Sequence, residues 1–237
     1  MALVQVGWVL RLLLPDDVDM VGFAVLVLAE LAVPLWAERT AHTAWHPGHI
    51  AERYGLFTLI VLGESVLAAT LAVEAAIDAD AALLDVVTVT LGGMLTAFAM
   101  WWLYFSKDAA RFLTSLRAGF VWGYGHYLIF GSAAAVGAGL AVNVDHTIGD
   151  AHVSRTVAAA AFCVPVALFL VAVWLLHWAP HHLGRSHHWL APGFAAAVLL
   201  ASWTPWPVLL TGLLVAGLAG VGTVLPALTA RPEPTAD

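Results

Sequence analysis

Glu30, Glu64 and His126 are ionisable side chains set inside long apolar stretches of the chain. On a helix rising about 1.5 Å per residue, Glu30 lies about 15 Å past residue 20, Glu64 about 15 Å past Tyr54, and His126 about 12 Å past residue 118. Those depths fall within a turn or so of the middle of a hydrocarbon core about 30 Å thick. An acidic side chain there costs roughly 2.5–3.5 kcal/mol on insertion scales, so it must face protein or a watery cavity. Groups so placed can relay a proton, hold a cation or hydrogen-bond a substrate. They can also do no more than tie helices together. Glu30, with Pro34 one turn on, could serve only to satisfy groups freed by a proline kink.

Spacing sharpens the reading of "HIAERYGLFTLIVLGESVLA", residues 49–68. At about 100° per residue, Arg53 and Glu64 fall about 20° apart around a helix axis, and His49 lies within about 60° of Glu64. Arg53 and Glu64 are separated by about 16 Å along that axis, too far to pair. One helix face is therefore polar at its mouth, with His49, Glu52 and Arg53, and polar again at its middle, where Ser65 follows Glu64. His126 shares a stripe with Gly119, Gly123, Ala133 and Gly137, and small residues at that spacing let helices approach closely.

The elements that must position these groups are membrane spans. The 237 residues are 62% hydrophobic and 11% charged, far from the roughly half apolar and quarter charged make-up of a soluble domain. Apolar runs long enough to cross a bilayer cover about 20–36, 54–73, 83–105, 118–142, 156–177 and 207–227, with weaker ones at 1–14 and 189–203. The expected fold is all-α: a polytopic transmembrane helical bundle of six to eight spans in one domain over 1–227. Residues 1–19 read as a short or truncated first span and its loop, and not as a secretory signal, since no basic leader or cleavage site frames them. "SWTPWP" (202–207) reads as a tight turn into the last span, and 228–237 as a disordered cytoplasmic tail.

Loop charge supplies an independent test. Arg39, Arg53, Lys107, Arg111, Arg117, Arg185 and Arg231 fall in alternate loops, and Asp16, Asp17, Asp19, Asp78, Asp80, Asp145 and Asp150 in the others. Arg11 and Arg155 depart from the alternation. The positive-inside rule then places the basic loops and the C-terminus in the cytoplasm. Trp36, Trp101, Trp102, Tyr104, Trp174, Trp178 and Trp189 read as an inner aromatic belt, Trp203 and Trp206 as an outer one.

Several chemistries find no footing. Nine Lys plus Arg form no basic patch for nucleic acid. The single cysteine, Cys163, excludes an internal disulfide and any cysteine-built metal site. His42, His46 and His49 cluster in one loop, and His177, His181, His182, His187 and His188 in another. Pro47 and Pro180 break any i, i+4 pairing, so no metal ligand set emerges. A haem between His126 and His177 would need facing helices at matched depth, and His177 at the end of its span speaks against that. No hydrolase, phosphate-loop or dinucleotide motif is present, so no catalytic residue and no cofactor are assigned. The glycines of "VAGLAGVG" (215–222) read as helix-packing positions.

The stretch 49–68 also resembles the bacterial low temperature requirement A (LtrA) protein family, whose most recognisable feature has the form H-x-x-E-R-x-G-L-x-x-x-x-x-L-G-E-S. His49, Glu52, Arg53, Gly55, Leu56, Leu62, Gly63, Glu64 and Ser65 correspond to it. "WWLYF" (101–105) and "GYGHYLIF" (123–130) resemble the family's aromatic cluster and Tyr–x–His element. The resemblance covers about residues 20–225. Family members usually open with an acidic, Phe-rich helix, so this chain is expected to be an N-terminally shortened member. The resemblance implies a multi-pass protein of the bacterial inner membrane, linked by name to growth in the cold, without a settled activity.

Three functions stay open. The first is a proton- or cation-linked transporter or channel, with Glu64, Ser65, Glu30 and His126 along the pathway and His49, Glu52 and Arg53 at its cytoplasmic mouth. The second is a non-catalytic membrane protein that supports the envelope in the cold. The third is a membrane-embedded enzyme acting on lipid or quinone. Expected partners are the lipid bilayer and an ion or small molecule, and glycine-rich helix faces leave an oligomer open.

Overall fold

The computed structural model describes residues 2–40, 45–78, 82–150, 152–178 and 189–229. His42, Asp80, Arg185, Arg231, the histidines at 181, 182, 187 and 188, and the tail from residue 230 lie outside them. Among the described residues there are eight α-helices and no strand. The chain groups into two compact units, residues 1–46 and 47–237.

The first unit is a helical hairpin of α1 (Ala2–Arg11) and α2 (Asp16–Thr40). Ten residues rise only about 15 Å, so α1 is too short to cross a bilayer. Gly7 brings the helices together: a Cβ there would sit 2.7 Å from Leu26 Cδ2. Trp8 meets Phe23 edge-on at 5.6 Å. Arg11 closes the turn through a 2.5 Å bond to Asp19, which gives this basic residue, an exception to the charge alternation, a local partner.

The second unit holds α3 (Pro47–Asp78), α4 (Leu83–Phe105), α5 (Leu116–Ile148), α6 (Arg155–Val173), α7 (Leu190–Ala201) and α8 (Pro207–Thr229). A π-helical turn, Trp174–Trp178, prolongs α6. Among the described residues five helices are long and apolar enough to cross a membrane: α2, α3, α4, α5 and α6 with its π turn. Both α3 and α5 outrun the apolar runs that announce them, because hydropathy ends where charge begins while the backbone ladder continues. Ser115 and Ser154 cap α5 and α6 through Ala118 N and Val157 N. Gly149, at φ 85°, takes the left-handed position that ends α5. Pro207 opens α8, where its missing N–H costs nothing.

Contacts along the helices fix the topology. α3 and α5 run parallel: Tyr54 lies against Trp122 with ring centroids 4.9 Å apart, and eleven residues further Ser65 Oγ donates to Ala133 O at 3.0 Å. α4 returns antiparallel to α3, with Gly55 beside Phe105 at one end and Ala76 beside Val86 at the other. α6 returns antiparallel to α5, tied by Asn143 Nδ2 donating to Ala158 O at 2.7 Å. Two crossings are close enough to exclude any side chain. A Cβ on Gly139 would lie 2.1 Å from Ala161 O, and one on Gly212 would lie 2.5 Å from Gly92 O. Within 215–222 the expected packing role holds at Gly222, where an added Cβ would come 3.3 Å from Trp178, while the tightest contact on α8 lies earlier, at Gly212. Met100, Ile129, Phe162, Phe169, Val198 and Val215 fill the core between these crossings.

This topology places the starts of α3 and α5 and the end of α4 at one end of the unit. Arg53, Lys107, Arg111 and Arg117 gather there, and Asp78, Asp85, Asp145 and Asp150 gather at the other. Arg155, at the acidic end, donates to Thr204 O at 2.9 Å.

The glycine crossings make a direct prediction. Gly139→Ala should destabilise the protein by about 1–3 kcal/mol through overpacking. Gly131→Ala, where an added Cβ meets open space, should be neutral or stabilising by up to about 1 kcal/mol, since alanine is the better helix former. Thermal unfolding in detergent measures both, and equal midpoints for the two variants would contradict the crossing.

Candidate functional site

Within the second unit the polar chemistry concentrates on His126, which is completely buried. Its Nδ1 lies 2.7 Å from Trp122 O. A carbonyl only accepts, so Nδ1 carries the proton, and in the neutral ring Nε2 accepts from the Tyr104 hydroxyl at 3.0 Å. The tautomer is assigned from this network. Tyr104 is 3% exposed, so both members of the pair are shut away from lipid and water. Trp122 and Tyr54 pack on the imidazole at 4.0 and 4.8 Å between centroids. His177, also completely buried, brings its ring to 5.6 Å from that of His126 and 4.8 Å from that of Tyr104.

Four helices build this cluster. α3 supplies Tyr54, α4 Tyr104, α5 Trp122 and His126, and the π turn after α6 supplies His177. A π turn inserts an extra residue and re-aims the side chains that follow, and such turns recur at functional sites. The argument from unmatched depth against a His126–His177 pairing is thereby corrected: antiparallel packing of α5 and α6 sets both rings at one level. A haem bridging them does not fit, because His126 spends both ring nitrogens on Trp122 and Tyr104 and the two rings already stand in contact. The arrangement is a sealed hydrogen-bonded pair in which the Tyr104 hydroxyl donates to the neutral imidazole.

The other expected site residues lie elsewhere. Glu64 is exposed on the outer face of α3, while Ser65, its neighbour, turns inward and donates to the carbonyls of Val61 and Ala133. Glu64 and His126 therefore share no cavity within the second unit. The small-residue stripe packs on a neighbouring helix, and that helix is α3: Gly123 lies against the Tyr54 hydroxyl and Gly137 against Ser65, while an added Cβ at Gly119 would meet nothing. At the mouth His49 and Glu52 form a loose exposed pair at 3.9 Å. Arg53 stands exposed on the rim of a groove of about 520 Å³ floored by Tyr54, Phe57, Tyr127 and Phe130. In the first unit Glu30 is held by α1: Gln5 Nε2 donates to both carboxylate oxygens at 3.1 and 3.2 Å, and Trp8 Nε1 to Oε2 at 3.2 Å.

Residue type alone misses several of these groups. Tyr104 reads as part of an aromatic belt, yet it is buried and bonded to His126, whereas Trp101, Trp102 and Trp189 are exposed as a belt requires. His177 reads as one of a loop cluster. Gln5 and Trp8 sit in an apolar decamer, where a lone glutamine three residues before a tryptophan was the available signal.

Tyr104→Phe should leave His126 Nε2 buried without its partner, at a cost of about 1–3 kcal/mol. Replacing both residues by apolar ones, Tyr104→Phe with His126→Leu, should cost less than the two single changes summed. A double-mutant cycle in thermal unfolding measures the coupling, and strict additivity would mean the bond contributes nothing.

The sequence profile described as "Bacterial low temperature requirement A protein (LtrA)" matches residues 1–224, reaching further toward the N-terminus than the resemblance read from motifs. No curated protein and no solved structure matches the chain. With a profile match over nearly all its length and five helices fit to cross a bilayer, the chain belongs to the bacterial low temperature requirement A family and is a multi-pass integral membrane protein.

Proposed function

We propose that this protein is a proton- or cation-linked transporter or channel whose pathway follows the outer face of α3. The observation that carries the reading is the placement of Glu64. It stands exposed near the middle of a 32-residue apolar helix, where a carboxylate needs water or a polar partner and cannot rest against lipid. Arg53, Phe57 and Ile60 lie on the same exposed stripe, so a path along it would begin at the basic end. We place that end, and with it the C-terminus, in the cytoplasm, because basic residues gather there. The Tyr104–His126 pair, enclosed behind α3, is a separate proton-holding element on this reading.

A second reading has its own support. Ser65 and Asn143 bond carbonyls on neighbouring helices, as purely structural polar residues would, and that favours a non-catalytic membrane protein. For the enzyme reading, Ser65 would have to act with Glu64 and His126, and its inward hydroxyl gives no such support.

Glu64→Gln separates the readings. In proteoliposomes carrying a pH-sensitive dye, the transporter reading expects the variant to lose at least 90%, roughly tenfold, of proton-coupled flux, about 1.4 kcal/mol or more in the rate-limiting step. Wild-type flux in the variant would overturn it. A wild-type signal at background, with a lowered unfolding midpoint for the variant, would favour the structural reading.

A further inference from the structure

We propose that the groove between the N-terminal halves of α3 and α5 binds one anionic phospholipid, with Arg53 holding its phosphate and the aromatic floor receiving the adjoining acyl chain. The proposal is independent of transport. Ile50, Arg53, Tyr54 and Phe57 form one wall, and Gly123, Tyr127 and Phe130 the other. Each wall runs over about seven helical steps, about 10 Å along its helix. The floor is built: Tyr54 and Phe130 stack at 5.9 Å between centroids, and Phe57 meets Phe130 edge-on at 4.6 Å. Gly123 is required for it, because a Cβ there would come 2.8 Å from the Tyr54 hydroxyl oxygen.

Charge selects the occupant. Arg53 makes no ion pair among the described residues, while its neighbour Glu52 pairs loosely with His49. A guanidinium offers a planar fork of donors that matches a phosphate. Lys107, Arg111 and Arg117 at the same end of the unit raise the local attraction for an anion, and basic pockets between membrane helices recognise acidic headgroups. A free anion would have no use for 10 Å of aromatic surface, about two turns of helix. A choline headgroup would bring its cation toward Arg53.

The test uses the full chain purified in a neutral detergent and offered equal amounts of phosphatidylglycerol and phosphatidylcholine, with retained lipid counted by native mass spectrometry. The expected result is one phosphatidylglycerol per chain, retained about tenfold over phosphatidylcholine, with Arg53→Gln lowering that retention about tenfold. Arg53→Lys should restore part of it, and Phe57→Ala should weaken it. Arg117→Gln, outside the groove but at the same basic end, should lower it far less, by at most about twofold. Retention of both lipids alike, or equal losses from Arg53→Gln and Arg117→Gln, would overturn the site. So would displacement of the lipid by soluble glycerol phosphate, which would mark a free-anion site. Because Arg53 is exposed, an unchanged unfolding midpoint in Arg53→Gln is expected and keeps the comparison meaningful.

Discussion

Hydrocarbon offers no hydrogen bonds, so each polar side chain between these helices must find its partner inside the protein. The solution recurs. Thr96 donates to Gly92 O, one turn back on its own helix, and Gly92 is where α8 crosses. Asn143 donates to Gly139 O and also to Ala158 O across the interface, and Gly139 is where α6 crosses. Ser65 donates to Val61 O and to Ala133 O, next to the Gly137 contact. A small residue brings two backbones together, and a polar residue one turn away or directly opposite uses the carbonyls thus brought within reach. The rest of the bundle follows from where these crossings fall.

One consequence is the separation of Glu64 from His126. Ser65 is locked inward at the α3–α5 contact, and adjacent helical positions differ by about 100°. Glu64 is thereby turned out of the interface that His126 occupies. The same register that seals the imidazole among Tyr54, Tyr104, Trp122 and His177 obliges the carboxylate to look outward. Burial and exposure of these two groups are therefore a single packing decision, made by a serine and a stripe of small residues on α5.

Much of this was legible in the residues. The all-α bundle, the continuous helix from the charged mouth through Glu64, and the inward orientation of His126 follow from hydropathy, periodicity and the stripe of small residues, because each is a property local to one helix. The count of six to eight spans does not carry over, since five helices among the described residues are long and apolar enough to cross. The pairing of helices is not local. Nothing in "WWLYF" distinguishes a belt tyrosine from one reaching His126, and nothing in "LLHW" announces that a π turn carries His177 to the same depth. Glu30 illustrates the same limit: its partners Gln5 and Trp8 sit on the short α1, and nothing local to either helix announces that α1 folds back on α2. The register between helices, set by Gly92, Gly139 and Gly212, decides which groups meet.

The proposed pathway and the proposed lipid site bear on each other through charge. Arg53 and Glu64 lie on one stripe of α3, about 16 Å apart along the axis, with Phe57 and Ile60 between them. A guanidinium at the entrance, with no ion pair among the described residues, repels a cation approaching the carboxylate, and at a membrane surface that repulsion is only partly screened by salt. A phosphate seated on Arg53 would cancel it and add negative charge at the mouth, raising the local concentration of cations without touching Glu64. A pathway with an arginine at its rim and a carboxylate at its centre thus makes physical sense for cations chiefly when an anion is bound at the rim. An anionic lipid in the aromatic groove supplies that anion from the membrane itself, which would tie activity to the composition of the surrounding bilayer.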